Sequence, residues 1–554
     1  MHIAFLTSEY PPLPCGGIGT NVRNLARAMV AAGHRVTVIG WGPQTAFEDE
    51  GVRVRFLGHT RLPKLGWFLN RRRAAREINR LVREEGLDIV EAADWCGMSA
   101  GLRPAASGKR QAERGQGLAV QGSGTQRFCS SPDNEQQATD NAPAASRLPL
   151  APYRLAHFLV RHCGFSIACP LVIRCNGSAT YFAYLQQLQD RLQGVPGGWE
   201  DAIPLRRRCQ EYYGTTSTAS NEQLPLSVKP LVRWTEGLAL RQASSIVAVS
   251  RFCADTTAEL FGLEERGSGF RVQGSGAGAG DAHESNARQE TALDAADGPA
   301  PSPSTSSGPS ASFDIPKRPW ALGLGHWRFR PPPSAFRLPP LPIGVIPNGI
   351  DIRQFAPARP EDVEPHTLLY VGTLARKKGV LDLPAIFNRV VEQVPQARLR
   401  LIGRDNPDVR TGARSTWELM RRGFSPAALA RVEYLGVTPY AVVQDFVRRA
   451  AVCVFPSYAE ALPLSWLEAM ACAKPVVAYD MGWAQEVVKA GVSGSLARLG
   501  NSAEFADAVV ACLRNPQRAA DMGLAARQRV QRYFAADVVA QQSVDWYASV
   551  CQGW

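Results

Sequence analysis

Residues 2–39 read HIAFLTSEYPPLPCGGIGTNVRNLARAMVAAGHRVTVI. His2–Thr7 is an apolar run of strand length. Over 20–32, Val22, Leu25, Ala26, Met29 and Val30 occupy the i, i+3, i+4, i+7 and i+8 positions of one helical face, and Gly33 stops the helix. Arg35–Ile39 is a second strand. Joining two strands through a helix makes them parallel, and a parallel sheet is covered by helices. The stretch therefore predicts an α/β fold.

The alternation continues outward. Asp88–Glu91, Pro170–Arg174 and Ser245–Val249 read as further strands. In the second half, strands are expected at 367–372, 398–402, 431–435, 451–455 and 475–479. Helices are expected at 379–395, 439–449, 463–473, 501–514, 516–532 and 536–550. The architecture expected is two Rossmann-like, doubly wound domains facing each other across a cleft. The first is 1–345, the second 346–535, and a final helix at 536–554 returns to the first domain. Two tracts interrupt the first domain, 104–150 and 264–341. Residues 266–315 hold 30 Gly, Ala, Ser or Pro out of 50. Such composition buries too little surface to offset its ordering entropy, so both tracts read as disordered insertions. Residues 186–228 are weakly patterned and read as a long loop.

At 554 residues the chain is too long for one ordinary core. Its 45% hydrophobic and 20% charged residues exclude a wholly disordered chain, a collagen or a coiled coil. No apolar run approaches the ~18 residues that span a bilayer. The N-terminus reads as a strand and not as a signal peptide, which points to a cytoplasmic protein. The 12 cysteines are scattered without metal-ligand spacing and read as small buried hydrophobes. Net charge is +12, which suits an anionic partner: nucleic acid, a membrane face or a phosphorylated small molecule. No nucleic-acid-binding motif occurs, so nucleic acid is set aside.

Three strand–helix junctions carry chemistry. In Cys15-Gly16-Gly17-Ile18-Gly19-Thr20, glycines let backbone N–H groups approach an anion at a helix N-terminus. The competing reading is a plain tight turn. A dinucleotide site is disfavoured, because the third glycine of its fingerprint is Val22 here. In Ser457–Met470, Glu460 lies in a loop, Pro463 suits the first turn of a helix, and Glu468 lies in its second turn. Two carboxylates beside one helix N-terminus can accept sugar or ribose hydroxyls, or can simply compensate the helix dipole. In Gly372-Thr373-Leu374-Ala375-Arg376-Lys377-Lys378-Gly379, three adjacent cations oppose a helix dipole unless an anion binds there. A solvated basic loop is the alternative.

Together these segments resemble the retaining glycosyltransferases of family four, which have the two-domain GT-B architecture. AEALPLSWLEAMACAKPVVA (459–478) looks like the family's Glu-x7-Glu segment. IPNGID (346–351) and the glycine-rich start resemble two further family signatures. The resemblance implies that Gly16, Gly17 and Gly19 face a donor diphosphate and that Arg376 and Lys378 neutralise it as it leaves. It implies that Glu460 holds hydroxyls of the transferred sugar, that Glu468 holds the ribose, and that amides of Ala461, Leu462 and Leu464 add donors. The implied reaction is transfer of a hexose from a nucleotide-diphosphate sugar, with retention, to a glycan, lipid-linked or other hydroxyl acceptor, as in exopolysaccharide synthesis. The nucleotide sugar is a co-substrate. No cofactor and no metal are expected, since no Asp-x-Asp occurs in the chain.

Two positions depart from the family pattern. Thr373 stands where the family often has Arg, and the role passes to Arg376. Asn176, in Arg174-Cys175-Asn176-Gly177, stands where the family often has His, and an amide cannot take a proton. Asn176 and Asp94 are the acceptor-side candidates, with capping as the other reading of Asp94. The rival function is a catalytically silent nucleotide-sugar-binding protein. Residues 61–85 carry eight cations and three acids beside Leu65, Trp67, Phe68 and Leu69, which suggests peripheral docking on the cytoplasmic face of an anionic membrane.

Overall fold

The computed structural model describes residues 1–13, 16–60, 66–94, 99–105, 165–182, 184–185, 230–261, 263, 265–266, 341–408 and 410–554. The insertions expected at 104–150 and 264–341 and the loop expected at 186–228 lie almost wholly outside these residues, as do Cys15 and residues 61–65.

The expected doubly wound α/β architecture is present, built on two sheets. Among the described residues the first sheet runs, edge to edge, Glu265–Arg266, Leu341–Val345, Ser245–Ala248, Leu171–Cys175, Ile89–Ala93, His2–Leu6, Arg35–Gly42, Val52–Gly58, Thr45–Asp49. All neighbours pair in parallel except the last two. The second sheet runs Val432–Tyr434, Arg398–Ile402, Thr367–Val371, Val452–Phe455, Val476–Asp480, Gly494–Arg498, all parallel.

The first strand shows why the pattern reads as it does. Ala4 and Leu6 join one hydrophobic core, Ile3 and Phe5 a second core on the opposite face. A parallel strand covered on both faces has to be apolar throughout. The helix Gly17–Ala31 buries Val22, Leu25, Ala26 and Met29, four of the five residues of the predicted face.

Several expectations need adjustment. Strands Thr45–Asp49 and Val52–Gly58 were not foreseen, although Val52, Val54 and Phe56 alternate with Arg53 and Arg55 in the period-two pattern of a strand. The helix expected at 379–395 opens with two 3-10 turns, Arg376–Lys378 and Val380–Asp382, before the α-helix Leu383–Gln393. Pro463 is the N-cap, with extended backbone, and the helix proper is Leu464–Ala471. Pro463 still fits, because its missing N–H leaves no orphan donor there.

The helix Ala536–Gly553 lies against the first sheet and the helix Gly17–Ala31. A buried polar network fastens it. Arg174 donates to Glu91 at 2.8 Å, to the Ile346 carbonyl at 3.1 Å and to Ser543 at 3.0 Å. Tyr547 donates to the other Glu91 oxygen, and the Trp546 indole donates to Ser245 at 3.0 Å. Arg174 is thus a fastener of the last helix.

Candidate active site

Doubly wound sheets bind ligands beyond the carboxyl ends of their strands, where the strand order reverses. In the first sheet that point lies between His2–Leu6 and Ile89–Ala93; in the second, between Thr367–Val371 and Val452–Phe455. The four loops that leave these strands carry or lead directly into Gly16, Gly17 and Gly19, Asp94, the cations 376–378 and Glu460. Topology therefore gathers the expected site residues into two clusters.

Lys378 and Glu460 meet because their loops follow paired strands. The Lys378 ammonium donates to Glu460 Oε1, which also accepts from Ser457 at 3.2 Å. Gly379 makes the approach possible. Its φ is +66°, and a Cβ there would lie 1.6 Å from the Pro456 carbonyl oxygen. The amides of Tyr458 and Ala459 close the loop onto the Lys377 carbonyl.

Arg376 points to a different partner. Its guanidinium grips Asp408 through two bonds, 2.9 and 2.7 Å. Asp408 also accepts from the Thr411 hydroxyl and amide. These contacts, the Arg376 bonds foremost, hold its carboxyl down at about 2. Neither Asp408 nor Thr411 was singled out from the sequence. Lys377 lies over the Phe182 ring at 4.1 Å, and burial lowers its ammonium pKa.

Glu468 is buried in the second turn of the helix Leu464–Ala471 and accepts a hydrogen bond from Tyr440. Desolvation raises its carboxyl to about 7. Tyr440, at the start of the helix Tyr440–Arg449, occupies the carboxylate to which the family resemblance gives a ribose.

From the first sheet, Gly17 and Gly19 open the helix Gly17–Ala31 and Gly16 caps it. The Gly16 amide donates to Glu9 at 2.9 Å. A Cβ on Gly17 would lie 3.8 Å from Leu464 Cδ1, so the first residues of two helices meet. Two helix N-termini converging on one place favour an anion. Beside them, Asn21 accepts from the Gly349 amide and Asn24 donates to its carbonyl, tying the IPNGID stretch to the glycine-rich helix.

Asp94 and Asn176 are brought together: Asp94 Oδ1 accepts the Asn176 amide at 3.1 Å. Burial, then the nearby Glu236 charge, pushes the Asp94 carboxyl up to about 8. Its Oδ2 and Asn176 Oδ1 are buried without a hydrogen-bond partner among the described residues.

The basic stretch is divided in use. In the helix Gly66–Glu85, Ala74, Ala75, Ile78 and Leu81 face the core and Arg71 is buried. Arg80 pairs with Glu77, Glu84 and Glu85. Arg72, Arg73, Arg76 and Arg83 are exposed. Among the described residues, no helix is long and apolar enough to cross a membrane.

Residues 365–515 match the family model described as Glycosyl transferases group 1, and residues 15–112 match Glycosyltransferase Family 4. The alpha-maltose-1-phosphate synthase of Mycobacterium tuberculosis is 34% identical over 232 residues, which is 39% of this chain and 58% of that protein. The chain thus spans little more than half the length of this curated relative. Among solved structures, the sucrose-phosphate synthase of Thermosynechococcus elongatus aligns with TM-score 0.54 and 17% identity, covering 100% of both chains. Anabaena HepE in complex with UDP aligns with TM-score 0.50 and 16% identity, covering 99% of this chain and 100% of that one. These two alignments speak for the fold.

Proposed function

From the premise that the chain belongs to the family four, group 1 glycosyltransferases of GT-B architecture, we propose that it transfers a hexose from a nucleotide-diphosphate sugar to a hydroxyl acceptor with retention. The observation that carries this reading is the convergence of Lys378–Glu460 with two helix N-termini at the strand-order reversals. Together they offer positive charge and amides to a diphosphate beside a carboxylate suited to sugar hydroxyls.

In this reading Lys378 faces the leaving diphosphate and Arg376, braced by Asp408, adds charge to the same loop. Glu460 orients the transferred sugar and Glu468 takes the ribose, displacing the Tyr440 hydroxyl. Gly16, Gly17 and Gly19 and the amides of Ala461, Leu462 and Leu464 line the diphosphate side. Asp94 and Asn176 take acceptor hydroxyls: the unpartnered Asn176 Oδ1 calls for a donor, and the unpartnered Asp94 Oδ2, in a carboxyl raised to about 8, can donate. Asn176 is no base, so the acceptor proton passes to the leaving phosphate. The two domains are 1–345 and 346–535, the helix 536–554 belonging with the first.

The UDP in the HepE structure makes a uridine nucleotide the first donor to try. The family matches favour transfer over a catalytically silent binder. Titration calorimetry tests the donor site: UDP should bind one-to-one, and Lys378→Ala should weaken it. A chain that binds no nucleoside diphosphate contradicts the proposal.

The acceptor is a glycan or a lipid-linked hydroxyl, and the protein works at the cytoplasmic face of an anionic membrane. Exposed Arg72, Arg73, Arg76 and Arg83 support docking there, each cation adding about 1 kcal/mol. Changing Arg72, Arg73 and Arg76 to Glu should abolish co-sedimentation with anionic vesicles. No sedimentation of the unaltered protein at low salt contradicts docking.

A further inference from the structure

Three successive main-chain carbonyls at the Glu460 loop accept hydrogen bonds from side chains that approach from elsewhere in the chain. Tyr181 Oη donates to the Glu460 carbonyl at 2.8 Å, Ser250 Oγ to that of Ala461 at 3.0 Å, and Asn348 Nδ2 to that of Leu462 at 2.9 Å. All three donors are buried. Tyr181 and Ser250 belong to the first sheet's side of the molecule, and Asn348 to the connection between the sheets.

Each donor has its own support. Glu236 accepts the amides of Ala179 and Thr180 and the Thr180 hydroxyl, which fixes the turn bearing Tyr181. Ser250 Oγ also accepts the Cys253 amide at 3.1 Å, at the start of the helix Arg251–Phe261. Glu486, from the second sheet's side, accepts the amides of Arg251 and Phe252 on that same helix. Close packing continues the contact: a Cβ on Gly177, whose φ is +88°, would lie 3.2 Å from Ala461 Cβ.

A trans peptide sets its C=O and N–H in opposite directions. With the carbonyls of Glu460 and Ala461 fixed towards Tyr181 and Ser250, the N–H groups of Ala461 and Leu462 face the other way. Pro463 has no N–H, so these are the last two amides before the helix Leu464–Ala471. We infer that Tyr181, Ser250 and Asn348 are positioning residues, a latch across the two halves that aims the Ala461 and Leu462 amides at the donor. The inference rests on the donor assignment above. The latch acts through the backbone, so it governs turnover more than ground-state affinity.

The experiment compares Tyr181→Phe, Ser250→Ala and Ser250→Thr with the unaltered full chain. It measures kcat and KM for the donor, UDP binding by calorimetry, and amide exchange over 457–468. Losing one such hydrogen bond, about 1.4 kcal/mol, corresponds to roughly a tenfold change. Tyr181→Phe and Ser250→Ala should each lower kcat about tenfold, leave donor KM within about twofold, and speed exchange over 457–468 about tenfold. Ser250→Thr keeps the hydroxyl and should restore kcat. Unchanged kcat and exchange in both Tyr181→Phe and Ser250→Ala would overturn the latch, as would a Ser250→Thr variant as slow as Ser250→Ala. Failure of the unaltered protein to bind UDP would overturn the donor assignment instead, and the exchange rates would still decide the latch.

Discussion

The ammonium of Lys378 donates to the carboxylate of Glu460, 82 residues further along the chain. The pair joins the two chemistries the proposed reaction needs: a cation for the departing diphosphate and a carboxylate for the sugar. Paired parallel strands bring the two loops side by side, and Gly379 lets one loop rest on the backbone of the other.

The first prediction concerns this pair. Lys378→Ala and Glu460→Gln should each cut turnover by about 10²–10³, the cost of one preorganised electrostatic partner. Residues that act as a unit are not additive, so the double variant should be little worse than either single one. Steady-state rates for the three variants decide it. Multiplying losses would show that the two act independently.

The second prediction concerns Arg376 and Asp408, whose side chains are 15% and 3% exposed. Arg376→Ala strands a buried carboxylate and should cost about 3 kcal/mol in denaturant unfolding. Adding Asp408→Asn removes the stranded charge and should recover most of that stability, but not turnover, if Arg376 also serves the diphosphate. Recovery of both would leave Arg376 with a structural role alone. The Asp408 carboxyl sits at about 2, below its ordinary 3.8. Its contribution is therefore complete above 3.8 and is lost as pH falls through about 2.

How much of this was legible in the sequence depends on the kind of signal. The helix 17–31 and the strand 2–6 followed from apolar periodicity, because each buries the face its spacing defines. Glu460, Glu468 and Lys378 were legible as charges beside helix N-termini. Asp408, Tyr181, Ser250 and Tyr440 were not, because each acts on a partner distant in sequence. Tyr181 lies 279 residues from Glu460, and no local pattern records that pairing. Arg174 carries the opposite lesson. It lies two residues before Asn176 in an acceptor-side motif, yet its side chain fastens the last helix.

The third prediction is a pH dependence at Glu468. Burial raises its carboxyl from 4.5 to about 7. A raised carboxyl is protonated in the folded chain and ionised in the unfolded one between those values. Stability from this group is therefore present below 4.5 and lost as pH rises to about 7. Hydroxyls of a bound ribose would favour the ionised form. UDP affinity should then rise with pH from 6 to 7.5, with proton release seen as a buffer-dependent heat in calorimetry. Glu468→Gln should flatten both profiles. An unchanged affinity profile in that variant would place the nucleotide elsewhere.

The fourth prediction tests the last helix. Gly344 packs so closely on Trp546 that a Cβ would lie 2.9 Å from the ring. Trp546→Ala empties that contact and frees Ser245, so it should cost about 3–5 kcal/mol in denaturant unfolding. A change below about 1 kcal/mol would mean that the helix Ala536–Gly553 contributes little to the first sheet.

The reaction proposed is sugar transfer with retention, and no metal is expected to take part. It is tested most directly by incubating the protein with labelled nucleotide sugars, UDP-glucose first, in excess chelator, and reading the product's anomeric configuration by NMR. Nucleoside diphosphate should be released in step with a glycoside of the donor's own configuration, at a rate the chelator leaves unchanged. An inverted product, or activity abolished by chelator and restored by magnesium or manganese, would contradict it.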